Sequence, residues 1–152
     1  MAELAVRQDE LVVTVEPGEK RRLTRFGLRA SRSKLLNGLE LRIPVTQVTG
    51  VHTGDAYWEL PGQMDALDTG RAVTLKREYE PSDSQPWVGI YQVTTDGTTR
   101  KKLCFIHGEH SPVVAVDLNA GADAPFTSLV VSCEPYQTDP LAASIKTAAG
   151  LT

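Results

Sequence analysis

Short runs of β-branched and apolar residues, each cut off by glycine, proline, aspartate or asparagine, restrict this chain more than any other feature. Leu11-Val12-Val13-Thr14-Val15, Gln47–His52, Val113–Leu118 and Ser128–Cys133 are runs of this kind. Leu39-Glu40-Leu41-Arg42-Ile43 alternates strictly, with one apolar and one charged face. Successive side chains of a strand point to opposite faces, so this period of two is the signature of half-buried β-structure. Trp87–Val93 sets Trp87, Gly89, Tyr91 and Val93 against Val88 and Ile90, a pattern that fits a strand covered on both faces. Glu16-Pro17-Gly18, Asn37-Gly38 and Asp96-Gly97 supply turn signals, the last two for hairpins. The hydrophobic share of 41% and charged share of 23% exclude a disordered tail, a coiled coil and a collagen-like rod.

The remaining segments complete the pattern. Pro44 interrupts its strand because it has no N–H to donate. Thr53–Gly70 is polar, contains Pro61-Gly62, and is expected to be a long loop, with at most one helical turn at Gln63–Leu67. Arg71–Tyr79 and Lys101–His107 read as further strands. The end of the chain changes period. Thr138 or Asp139 can cap a helix, Pro140 suits its first position, Leu141 and Ile145 lie one turn apart, and Gly150 is placed to end it. The expected fold is mainly β: a strongly bent antiparallel sheet or open barrel of about seven strands, with one C-terminal α-helix stoppering it. Its 152 residues suit a single domain over 1–152. No run approaches the roughly 20 apolar residues of a transmembrane helix, and MAELAVRQDE carries no apolar core of a secretory signal.

Charge is segregated. From Lys20 to Arg42 there are eight bases (Lys20, Arg21, Arg22, Arg25, Arg29, Arg32, Lys34, Arg42) and one acid, Glu40, a balance of +7. The other eight bases and eighteen acids sum to −10, which gives the net −3 of the chain. Such asymmetry points to an anionic partner, to an exposed hairpin kept soluble by its charges, or to pairing with the acidic remainder across an oligomer interface. The acidic balance of the whole does not suit a dedicated duplex binder, whose basic footprint normally covers the domain. The anionic-partner residues expected from this reading are Lys20, Arg21, Arg22, Arg25, Arg29 and Arg32.

Chemistry is harder to find. Cys104 and Cys133 sit inside apolar runs and read as reduced, buried thiols of a cytoplasmic protein. Cys104, His107 and His110 read C-x2-H-x2-H, with His52 as a fourth donor. Cys104 and His107 are an odd number of strand positions apart and project to opposite faces, so no metal site is expected. No G-x-S-x-G elbow, phosphate-cradling glycine loop or cysteine in a polar helix-start setting appears, and no catalytic residue or cofactor is assigned. Tyr57 and Trp58, in the expected 53–70 loop, are the candidate interface aromatics.

Four segments resemble bacterial pleckstrin-homology-like domains, particularly small actinobacterial proteins of unassigned role. They are Asp9–Val13, Leu41–Val51 as a strand–kink–strand, Val113–Leu118, and Ser128–Cys133 leading into the final helix. A basic insertion near residues 18–38 departs from that pattern. The resemblance implies the bent-sheet fold and a role in self-assembly or protein contact. In lipid-binding relatives, basic residues occupy the first inter-strand loop, where Lys20, Arg21, Arg22 and Arg25 would stand. A second segment, Gly70-x-x-Val73-x-Leu75-x-Arg77-Glu78 with Asp83 and Val88-x-Ile90, looks like the middle of a HIRAN domain, which would imply binding of single-stranded DNA ends. The expected function is a non-catalytic binding or assembly module making protein contacts or self-associating. The alternative is an anionic-ligand binder, for single-stranded DNA or a lipid headgroup, through the basic 20–34 segment.

Overall fold

The computed structural model describes residues 1–25, 36–59, 63–68, 71–76, 87–95, 97–108, 110–119 and 126–151. Of these, 22–25, 36–37, 57–58, 63–68, 71–76, 92–95 and 98–99 are described by their backbone. The smaller sheet holds β1 (Glu3–Arg7), β2 (Glu10–Thr14), β3 (Leu36–Asn37) and β4 (Glu40–Pro44), in the order β1-β2-β4-β3. The larger holds β5 (Val48–Asp55), β6 (Gln63–Asp68), β7 (Arg71–Lys76), β8 (Trp87–Thr95), β9 (Thr98–Ile106), β10 (Pro112–Leu118) and β11 (Ser128–Ser132), ordered β5-β10-β11-β9-β8-β6-β7. Three helices accompany them: α1 (Pro17–Arg25), α2 (Ala56–Glu59) and the C-terminal α3 (Pro135–Ala148). The fold is mainly β with a C-terminal helix, as the alternation predicts. Among the described residues neither sheet closes on itself, so the bent-sheet form applies rather than a barrel. The described ladders are antiparallel except where β11 lies parallel to β9.

Strand parity sorts the core into two faces. Leu11, Val13, Leu41 and Ile43 of the smaller sheet pack with Val88, Ile90, Leu103, Phe105, Val114, Val116, Leu129 and Val131 of the larger, and Ile145 of α3 joins them. The opposite parity gives Trp87, Tyr91, Cys104, Ile106, Val113, Ala115 and Val130, which gather with Ala56 of α2. The Trp87 and Tyr91 rings stack with centroids 5.8 Å apart. The middle strands of the larger sheet are therefore apolar on both sides, as the Trp87–Val93 pattern predicts.

Several expectations are corrected. The Glu16-Pro17-Gly18 turn is instead the start of α1, with Pro17 at its first position, where a missing N–H costs nothing. The 53–70 loop is replaced by the end of β5, by α2 and by β6, and the helical turn falls at Ala56–Glu59 rather than Gln63–Leu67. The Asn37–Gly38 turn shifts by one: Asn37 pairs with Glu40, leaving Gly38-Leu39 as the loop, with Gly38 at φ +62°. Glycine at the first loop position is the signature of a type II′ hairpin. Of the Asp96-Gly97 turn, Asp96 lies outside the described residues, and Gly97, at φ +77°, stands between the paired residues Thr95 and Thr98. α3 begins at Pro135, a turn before the expected Pro140, which lies inside the helix. Gly150 ends it as expected: at φ +72° it lets Leu151 N–H reach Lys146 O at 2.8 Å and Gly150 N–H reach Thr147 O at 3.2 Å, a Schellman close. β1 was not expected, and it places Leu4 and Val6 on the core side.

Candidate partner-binding face

The basic run enters the structure as α1, and its acids hold it there. Glu19, at the third helical position, turns back so that Oε1 accepts the Glu16 N–H at 2.9 Å. That is one half of a capping box, and it satisfies a donor that the start of a helix leaves open. Glu19 Oε2 accepts the Ala2 N–H at 3.0 Å and the His107 Nε2–H at 2.9 Å. The side chains of Glu19 and His107 are only 3% and 6% exposed. Burial pushes the Glu19 carboxyl up, but the hydrogen bonds from His107, Glu16 and Ala2 outweigh it and hold it below the ordinary carboxylate range. His107 is fixed in turn: its backbone N–H donates to Ser132 Oγ at 3.1 Å, beyond the end of β9. One carboxylate thus ties α1 to the N-terminal strand and to the larger sheet.

Glu16 faces outward and pairs with the amino group of Met1. Both acids at the head of α1 are therefore engaged within the molecule, while the residues that follow are Lys20, Arg21, Arg22 and Arg25. Lys20 is half-buried and Arg21 exposed. Arg22 and Arg25 lie in the helix backbone, and Arg29 and Arg32 lie outside the described residues.

The two aromatic candidates fall in α2, with Tyr57 and Trp58 at its centre. This turn is also pinned by an acid. Glu59 Oε2 accepts from Lys102 Nζ of β9 at 2.9 Å, and Glu59 Oε1 accepts from His52 Nε2 of β5 at 2.7 Å. Burial raises the Glu59 carboxyl, yet the bonds from Lys102 and His52 hold it below its usual range. Glu59 and Glu19 were not singled out by sequence. Each has one side-chain partner 43 or 88 positions away, Lys102 for Glu59 and His107 for Glu19, which no local pattern reveals.

The C-x2-H-x2-H residues go to separate places. Cys104 is in the second core cluster, His107 meets Glu19, His110 Nδ1 lies 3.3 Å from Asp55, and His52 meets Glu59. Among the described residues no group of three metal-ligating side chains converges. Burial pushes the Cys104 thiol up to about 12, so it is not a thiolate at neutral pH. Cys133 is half-buried and also raised, and neither cysteine is in a disulfide. Of the HIRAN-like segment, Gly70, Arg77, Glu78 and Asp83 lie outside the described residues. No described helix is long and apolar enough to cross a membrane. A cleft of about 830 Å³ opens between the start of β1 and α3, lined by residues that include Ala2, Leu4, Cys133, Tyr136 and Leu141. No family model, curated protein or solved structure matches the chain.

Proposed function

We propose that the protein is a non-catalytic binding module that docks an acidic protein surface through α1 and the basic segment that follows it. The reading rests on one observation: the only carboxylate within α1, Glu19, is buried on His107, while Lys20, Arg21, Arg22 and Arg25 belong to the same helix. The −10 balance of the rest of the chain favours a compact acidic patch over a long polyanion, which would run past the repelling remainder. The Tyr57–Trp58 turn, anchored through Glu59 to Lys102, adds amphipathic contact area. The C-terminal helix packed on the core is compatible with a pleckstrin-homology-like domain, and two free thiols support a reducing, cytoplasmic setting.

The test is fluorescence anisotropy with a labelled glutamate-rich peptide, at low and physiological salt. Binding should weaken as salt rises. Arg21→Ser, Arg22→Ser and Arg25→Ser combined should weaken it roughly tenfold or more. Undiminished binding by the triple variant would overturn the proposal. So would tighter binding of a short single-stranded DNA or of anionic vesicles, which would transfer the basic segment to a nucleic-acid or headgroup role.

A further inference from the structure

The cleft between the start of β1 and α3 combines apolar walls with charge of one sign. Leu4, Leu141 and Tyr136 line it, and Tyr136, 74% exposed, is the most exposed large apolar side chain among the described residues. Its charged side chains are Glu3, Glu16 and Glu134, and among the described residues no lysine, arginine or histidine joins them. Glu16 pairs with the amino group of Met1. Glu3 and Glu134 are exposed and have no ion pair among the described residues, although Glu10, Glu40, Glu59 and Asp117 each meet a base. An exposed ring sharing a cleft with unclaimed carboxylates suits guanidinium groups, which fork onto a carboxylate and stack on an aromatic face.

The chain itself carries such groups. Lys20 to Lys34 holds five arginines, two lysines and no acid. This run starts close to the cleft, because Glu16 lines it and α1 begins at the next residue. The helix then leads elsewhere: Glu19 meets His107, and α1 packs against β8. Ser132, at the end of β11, lines the cleft, and β8 lies two strands beyond β11, about 10 Å across the sheet. One molecule therefore sets a basic helix beside an acidic cleft without pairing the two among the described residues.

We propose that two copies of the chain join about a two-fold axis, the basic run of each lying in the acidic cleft of the other. The inference rests on the reading of α1 as a docking face and names the acidic surface that this face meets. Neighbouring patches of opposite sign are self-complementary under a half-turn, which sets each patch on its opposite and closes the assembly at two copies. The α3 side of the cleft belongs to the acidic part of the chain: from Leu103 to the end there are five acids and one base, Lys146. Tyr136 supplies the ring for an arginine, and Glu3 and Glu134 supply the carboxylates. Both carboxylates are unclaimed, so no described ion pair of theirs has to break when the copies meet.

The experiment uses the full chain. Light scattering at low salt and rising concentration should reach about twice 16.5 kDa, and added salt should return it toward 16.5 kDa. Glu3→Gln with Glu134→Gln should weaken the dimer roughly tenfold, and Arg21→Ser, Arg22→Ser and Arg25→Ser combined should do the same. Each variant spoils both contacts of its own dimer. A mixture of the two keeps one contact intact, an unaltered run on an unaltered cleft, and should be heavier than either variant alone. The Gln variant retains α1 and should bind the glutamate-rich peptide at least as tightly as the unaltered chain. A chain that binds the peptide but stays at 16.5 kDa overturns the dimer and leaves the α1 reading standing. A triple variant that dimerises and binds the peptide undiminished overturns both. A mixture no heavier than its parts, or a mass that climbs past two copies, also overturns the dimer.

Discussion

Replacing Glu19 by alanine should loosen α1 from the body of the protein. The carboxylate accepts three hydrogen bonds, from His107, Ala2 and Glu16, at 2.9, 3.0 and 2.9 Å. The Glu16 N–H can turn to water, but the donors of Ala2 and His107 are buried and would be stranded. A stranded buried donor costs about 1–3 kcal/mol, so the pair sets a loss of roughly 4 kcal/mol, a large part of the 5–15 kcal/mol typical of a domain. With a urea dependence near 2 kcal/mol per molar, the unfolding midpoint should fall by about 2 M. Glu19→Gln keeps the shape and an acceptor oxygen but not the charge, and should lower it by under about 1 M. A cycle combining Glu19→Ala with His107→Ala should give a coupling of at least about 1 kcal/mol. Equal midpoints for the Ala and Gln variants, or a coupling near zero, would refute the reasoning. They would mean that an acceptor oxygen at this position is not what satisfies the Ala2 and His107 donors and holds α1 to the body.

Acid should weaken the fold in a defined window. Glu19 and Glu59 are held below the ordinary value of 4.5, so the unfolded chain binds more protons than the native one between the two values. Their contribution is complete above the unfolded value and is lost as pH falls through the folded one. The urea midpoint should drop as pH falls below the ordinary value of 4.5, and Glu19→Gln with Glu59→Gln should flatten that drop; an identical slope would count against both sites. Cys104, fully buried with its thiol raised to about 12, should resist an aromatic disulfide reagent in the native state, where at most Cys133 reacts slowly. Rapid labelling of two thiols without denaturant is the contrary result. Ile145→Ala, at a fully buried site of α3, should cost about 3 kcal/mol in urea unfolding, and a loss below about 1 kcal/mol would show that α3 does not close the core.

The strands were legible because their signal is local. Leu41 and Ile43 against Glu40 and Arg42, or Val88 and Ile90 against Trp87 and Tyr91, state within a few residues which face is buried. What escaped was punctuation whose meaning depends on the neighbours. Pro-Gly can make a turn or open a helix, and Glu16-Pro17-Gly18-Glu19 opens one because Glu19 caps the N–H of Glu16 three places back. The end of the chain held the same ambiguity twice over, since Pro135 and Pro140 both suit a helix start and the earlier one took it. Asn-Gly misled by one position because a type II′ turn needs the glycine first, which moved the loop to Gly38-Leu39 and paired Asn37 with Glu40. β1 was overlooked for its charged ends, Glu3 and Arg7, although Leu4 and Val6 between them keep the strand period.

The candidate face divides along the same line. A density of bases is visible to simple counting, so Lys20, Arg21, Arg22 and Arg25 stood out at once. What fixes their helix to the sheet is Glu19, which counting sets against them. Had that carboxylate faced solvent, it would have offset a neighbouring base, with Arg22 three places on at salt-bridge spacing. Buried on His107, it does the reverse: it fixes the helix to the sheet and withdraws the negative charge from the side a partner would meet. Glu59 repeats the device beneath Tyr57 and Trp58, where Lys102 and His52 absorb its charge. In both helical segments the acid acts as an internal anchor, Glu19 for α1 and Glu59 for α2. Net charge, summed over a sequence, counts the anchors and the contact residues alike. Only the fold separates them.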